Sequence, residues 1–271
     1  MEALTLTFVN LFIFLFGASI GSFLNVVVYR LPLGISLMYP PSRCPKCGHK
    51  LTISENIPVI GWLWLKGRCR CCKTLISPRY PIVEALTGLI FLLVFWQFGM
   101  TNWQIIAYWT FLSWLLTLSL IDFDTMTLPN PLTKSGLVLG LTFHLILGWQ
   151  TGTSTSIINH LIFSLSAAVL GIWLLDSLAF LGLVLFGKES MGAGDAKLMA
   201  MIGSWLGWKL LLLSGFLGCA MGAFAGGGAI ALGWLKREEP MPFGPFLGMG
   251  AFISLFWGEK IISTYLKLFF P

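Results

Sequence analysis

Apolar residues follow one another along most of this chain with neither the 3.6-residue rhythm of a surface helix nor the alternation of a half-buried strand. They persist for about 20 residues at a time, the length a helix needs to cross a hydrocarbon core. We expect about eight such segments, at 4–27, 81–99, 103–121, 130–149, 157–187, 195–207, 209–234 and 244–265. The sixth is short for a full span. The fifth is long enough to tilt, kink or project from the bilayer. The one extended polar stretch lies between the first and second segments, so the pattern predicts an all-α polytopic membrane protein with a small polar loop near its start.

Composition strengthens this reading. Hydrophobic residues make up 56% of the 271 and charged residues 10%, against about 25% charged in soluble domains. The charges are also unevenly placed. Residues 28–80 hold nine of the 17 Lys and Arg and a single acid, Glu55, which marks that loop as cytoplasmic. The N-terminus lacks a basic region and a small-residue cleavage site, so the first segment is expected to stay attached as a helix. With eight spans the N-terminus then lies outside, and the connections near 122–129, 188–194 and 235–243 face the cytoplasm, where Lys188, Lys236 and Arg237 suit the rule. A nucleic-acid surface is not expected, because these charges sit in one short juxtamembrane loop without a binding module. The expected organisation is a first transmembrane helix at 1–29, a cytoplasmic loop at 30–80 and a transmembrane core at 81–271.

The loop carries two C-x-x-C pairs, Cys44 with Cys47 and Cys69 with Cys72. Four thiolates in two such knuckles suit tetrahedral zinc and leave no coordination position open, which points to a structural ion. Disulfides are disfavoured in a cytoplasmic loop, whereas iron in a four-sulfur site fits the same ligands. Cys71 is an extra thiol that would make a C-x-C pair in place of Cys72; Cys72 is preferred because it repeats the first knuckle. His49 is not expected to be a ligand.

An ionised acid beside hydrocarbon is costly, so the acids near the spans are functional candidates. Asp122 and Asp124 lie in LIDFDTMTLPN at the end of the third segment, and Asp195 lies in MGAGDAK at the mouth of the sixth. Taken alone, Asp195 equally fits a helix N-cap. The expected topology places Asp195 and Asp122 or Asp124 at one membrane face, where two adjacent carboxylates sharing a proton would activate water against a peptide bond. Asp176 and Glu84 have no motif around them.

The chain resembles the type IV prepilin peptidases, leader peptidases with N-methyltransferase activity. The likeness runs nearly end to end through GSFLNVVVYRLP at 21–32, CPKCGHKL at 44–51, GRCRCC and ISPRYPIVE within 67–84, IDFDTMTLPN at 121–130 and MGAGDAKL at 191–198. The resemblance implies a bacterial inner-membrane aspartic endopeptidase with its active site facing the cytoplasm. Its substrates would be type IV prepilins or type II secretion pseudopilins, cut after a glycine at the end of a basic leader. It also implies N-methylation of the new terminus with S-adenosylmethionine. The family aspartates map onto Asp122 and Asp195, with Asp124 second to Asp122. Asn130 stands where many members have aspartate. No glycine-rich fingerprint locates the methyl donor, and of Glu84, Glu238 and Glu239 only Glu84 is a candidate for attracting the leader. A transporter using the acids as an ion path is the main rival, but it does not account for the paired motifs and the cysteine knuckles.

Overall fold

The computed structural model describes residues 2–99, 102–187, 192–236 and 239–269; Lys188, Met191, Arg237 and Glu238 lie outside them. Among the described residues there is no β-strand, and seven helices are long and apolar enough to cross a membrane. These are α1 (Glu2–Arg30), α3 (Arg79–Phe98), α4 (Gln104–Thr125), α5 (Asn130–Gln150), α6 (Ser154–Phe186), α7 (Ala193–Ala231) and α8 (Gly244–Phe269). The short α2 (Ile60–Trp64) belongs to the polar insert. Helix is the expected outcome in hydrocarbon, because it satisfies every backbone N–H and C=O within the segment.

The chain divides into two compact units, Met1–Ser113 and Trp114–Pro271, with the boundary inside α4. In the first unit α1 and α3 pack closely in antiparallel register. A Cβ on Gly21 would lie 2.8 Å from the Glu84 Cα, and one on Gly17 would lie 2.9 Å from the Gly88 Cα. The Asn25 amide closes one end of this pair by donating to the Tyr80 carbonyl at 3.1 Å, and the Trp96 indole closes the other on Asn10 at 3.1 Å.

In the second unit the sixth and seventh expected segments form one element, α7, broken at Gly207 with φ 73° and ψ 174°. That conformation is open to glycine and strained for other residues. The chain doubles back there. A Cβ on Gly215, in the second arm, would touch the Met199 Cε of the first arm at 3.0 Å. The first arm, residues 193–206, rises only about 21 Å and is shorter than the hydrocarbon thickness. Its packing against α6 is antiparallel, with Gly171 against Met199, Ala167 against Gly203 and Phe163 against Gly207. The second arm, 208–231, runs antiparallel to α8, with Gly218 against Leu247 and Gly222 against Phe243. Counting the arms separately returns the eight apolar segments read from the sequence.

Carbonyls just before the break find partners on other helices. The Ser164 hydroxyl donates to Ser204 O at 2.6 Å, and His144 Nε2 lies 3.2 Å from Trp205 O. The Trp205 indole in turn donates to Gly136 O at 2.8 Å. Buried backbone acceptors at a helix break need such donors, since no water reaches them in hydrocarbon.

Gly207→Val places a β-branched side chain at positive φ and into the Phe163 ring. Chemical unfolding in detergent micelles, followed by circular dichroism, should show a loss of about 2–4 kcal/mol, with Phe163→Ala in the same chain recovering only the steric part.

Candidate active site and metal centre

The end of the second unit where α7 and α8 begin brings together three stretches that are remote in sequence. Asp122 sits in the last turn of α4 and is 5% exposed; Asp195 sits in the first turn of α7 and is 9% exposed. The two carboxylates are close enough to interact electrostatically. The backbone N–H of Gly244, the first residue of α8, donates to Asp122 Oδ2 at 2.8 Å. A Cβ on Gly244 would crowd that same carboxylate oxygen at 2.8 Å, so the position needs a residue without a side chain. Free N–H groups at a helix N-terminus are suited to hold a carboxylate.

Neighbouring contacts keep this arrangement together. Lys197 Nζ donates to Asn130 Oδ1 at 2.7 Å, joining the first turn of α7 to the first residue of α5. Leu128 packs against Gly194, where a Cβ would lie 3.1 Å from the leucine Cβ. Gly192 holds the extended N-cap conformation and accepts from the Asp195 N–H at 3.0 Å, which turns the chain into the helix. Asp124, two residues further along α4, is exposed, whereas Asp122 is buried. The structure thus brings Asp122 and Asp195 together and leaves Asp124 outside the pair. Like charges held near one another in a low-dielectric site disfavour each other's ionisation.

Sequence reasoning missed Gly244 and Lys197. A backbone N–H carries no side-chain signature, and Gly244 is only one of 30 glycines. Lys197 stood two residues after a candidate acid, but its partner Asn130 is far away in the chain.

The polar insert of the first unit forms a separate centre. The sulfurs of Cys44, Cys47, Cys69 and Cys72 all lie within 4.8 Å of one another. Cys44 is 3.7 Å from Cys72 and Cys47 is 3.9 Å from Cys69. A tetrahedron of sulfurs at about 2.3 Å from a central ion has edges of about 3.8 Å, so the four residues are placed to bind a metal ion.

The two knuckles share a backbone plan. Cys44 N–H donates to His49 O at 2.8 Å and Gly48 N–H to Cys44 O at 3.0 Å; Cys69 N–H donates to Thr74 O at 2.9 Å and Lys73 N–H to Cys69 O at 3.0 Å. Gly48 and Lys73 occupy matching left-handed positions, with φ 70° and 58°. Backbone N–H groups of Cys47 and Lys46 bring the Cys44 thiol down to about 6, while desolvation and the neighbouring sulfurs push Cys72 up to about 11. His49 points to Glu55 at 3.1 Å and not into the sulfur cluster, and Cys71 is exposed outside it. The Thr52 N–H and His49 hold the Glu55 carboxyl below its ordinary range.

Glu84 is buried on α3 and faces the insert. Its Oε2 accepts the Val59 N–H at 2.7 Å, and Ser22 also hydrogen-bonds to it. Val59 has φ 62° and ψ −54°, with Ile60 N–H donating to Pro58 O at 2.6 Å, a γ-turn that is strained for a β-branched residue. Glu84 therefore holds the turn leading into α2.

Two family descriptions match the chain: the bacterial peptidase A24 N-terminal domain over residues 15–98, and the type IV leader peptidase family over residues 109–227. A prepilin leader peptidase/N-methyltransferase of Aeromonas hydrophila is 39% identical, covering 95% of this chain and 93% of the relative. Proteins of the same name from Pseudomonas aeruginosa and Pectobacterium carotovorum are 40% and 38% identical, covering 93% and 88% of this chain and 92% and 90% of the relatives. No solved structure matches the chain.

Elemental analysis of the purified protein should return about one metal ion per chain. Cys44→Ser or Cys69→Ser should lose it, whereas Cys71→Ser should keep it; retention by Cys44→Ser with loss by Cys71→Ser would replace the ligand set.

Proposed function

The chain belongs to the type IV leader peptidase family, and from that premise we propose that it is a membrane aspartic endopeptidase that removes the basic leader of type IV prepilins or type II secretion pseudopilins after a glycine. The same enzyme methylates the newly exposed N-terminus. The observation that carries the peptidase reading is the buried pair of Asp122 and Asp195, drawn from separate helices to one end of the bundle.

In this mechanism one carboxylate keeps the shared proton and donates a hydrogen bond to the scissile carbonyl oxygen. The other takes a proton from water, whose oxygen attacks the carbonyl carbon. The tetrahedral intermediate then breaks its C–N bond as the leaving amine takes up a proton. The Gly244 N–H holds Asp122 in place, and the Lys197–Asn130 bond keeps the Asp195 turn against the start of α5. For methylation, S-adenosylmethionine supplies a methyl group to the new amine, which loses a proton as the sulfonium becomes a thioether. No residue is assigned to that donor.

Zinc is the ion proposed for Cys44, Cys47, Cys69 and Cys72, since closed four-thiolate sites are structural zinc sites in small lobes lacking a core. The lobe at 30–80 and the active site face the cytoplasm of a bacterial inner membrane in this reading, which rests on the nine basic residues of the insert. The core at 81–271 carries the proteolysis, and the prepilin's apolar helix shares the bilayer with its spans.

Detergent-purified protein incubated with a synthetic prepilin and labelled S-adenosylmethionine should give cleaved and methylated product by mass spectrometry. Asp122→Asn and Asp195→Asn should each lower cleavage by about 10²–10⁴-fold, with Asp124→Asn close to wild type. Full processing by either of the first two variants would overturn the assignment. Methylation of a precleaved peptide by the same variants separates the two activities.

A further inference from the structure

The polar insert does not stand off from the two spans that carry it. Glu84, whose carboxylate accepts the Val59 N–H at 2.7 Å, lies five residues into α3, about 8 Å along the helix from Arg79. The α1 helix passes the same level at Gly21 and continues to Arg30. The turn into α2 is therefore held alongside the ends of two membrane helices, at the depth of the lipid headgroups. On its inner side α2 is fixed by Trp62, whose indole donates to Ile76 O at 3.1 Å and whose ring covers Gly67. Ile60, Leu63 and Trp64, spaced i, i+3, i+4, share the opposite face and are exposed, Trp64 by 75%. Tryptophan and aliphatic side chains at this depth belong at the boundary between headgroups and acyl chains.

Directly after α2 the chain surrounds a cavity of about 450 Å³, lined by Leu65, Lys66, Arg68, Cys69, Arg70 and Lys73. Four of these six residues are cations. The tight backbone of the second knuckle gathers them: Lys66 and Lys73 are left-handed, with φ 51° and 58°, and Cys69 N–H donates to Thr74 O at 2.9 Å. Glu55, the only acid of the insert, lies 3.9 Å from Arg70 and is also engaged by His49 and the Thr52 N–H. The cavity thus gathers positive charge at headgroup depth, beside a face suited to acyl chains. Lys and Arg are strong donors to phosphate oxygens, and an anionic phospholipid presents a phosphate and acyl chains together. A soluble phosphate would satisfy the cations and leave Ile60, Leu63 and Trp64 in water.

We infer that this cavity binds the phosphate headgroup of an anionic phospholipid, with the exposed face of α2 seated among the adjoining acyl chains. The inference rests on α1 and α3 being membrane spans and stands apart from the peptidase reading. It assigns the basic residues after α2 to one lipid site, beyond the general charge bias that orients the loop.

Full-length protein, purified in a neutral detergent and freed of co-purifying lipid, is titrated with phosphatidylglycerol and with phosphatidylcholine of the same chains, and bound lipid is counted by native mass spectrometry. Wild type should bind phosphatidylglycerol about tenfold more tightly, the worth of one charge-assisted hydrogen bond at the weak end of its range. Arg68→Gln with Lys73→Gln should bring the two affinities close together while keeping the metal content of wild type. Lys46→Gln with Lys50→Gln removes the same charge from the insert outside the cavity and should keep the preference. Leu63→Ser with Trp64→Ser should weaken both lipids several-fold without changing their ratio, and glycerol 3-phosphate at equal concentration should not displace phosphatidylglycerol. Equal binding of both lipids by wild type, or an equal loss of preference in the Lys46/Lys50 variant, overturns the site in favour of diffuse charge. Loss of metal from the Arg68/Lys73 variant assigns these cations to neutralising the thiolates and also overturns it. Displacement by glycerol 3-phosphate, or undiminished lipid binding by the Leu63/Trp64 variant, makes the occupant a soluble phosphate and overturns the lipid assignment.

Discussion

The hydrogen bond from the Gly244 N–H to Asp122 is the contact on which the second unit turns. A carboxylate next to hydrocarbon has little water to solvate it, and the free N–H at a helix head is a donor already aimed outward. To use it, α8 must begin beside the last turn of α4, with no side chain between them. The second arm of α7 returns to that same end by packing along α8, and the first arm delivers Asp195 there. One short polar contact therefore sets the depth at which several helices start or stop.

The reversal at Gly207 makes this possible. Without it, a helix of the length of Ala193–Ala231 would extend about 58 Å, well beyond the hydrocarbon core. The glycine conformation folds it into two arms, and donors from α5 and α6 cover the carbonyls beside the break. Backbone geometry at one residue is thus connected to the position of Asp195 at the other end of the arm.

The insert of the first unit follows different physics. Between residues 30 and 80 the only buried hydrophobic side chains are Cys44 and Cys69, and two like knuckles there converge four sulfurs. Glu84 adds a tether from α3 by holding the strained turn at Val59. The sequence reading left Glu84 as a possible attractor for a basic leader; in the structure its carboxylate is engaged by a backbone N–H and Ser22.

The sequence by itself determined the features that depend on local chemistry. Long apolar runs can only be membrane helices, because no other segment satisfies its backbone alone in hydrocarbon. Repeated C-x-x-C spacing brings two thiolates to one ion whatever surrounds it. The break between the sixth and seventh segments was legible as well, because Gly207 followed by Trp208 and Lys209 interrupts the apolar run. The choice between Asp122 and Asp124 was not legible from the residues, since both precede the same turn; only helix packing buries one and exposes the other. Gly244 and Lys197 were equally invisible, because each acquires its role from a partner far away in the chain. Tertiary structure decided these features because burial and proximity are properties of the packed bundle, and no single segment carries them.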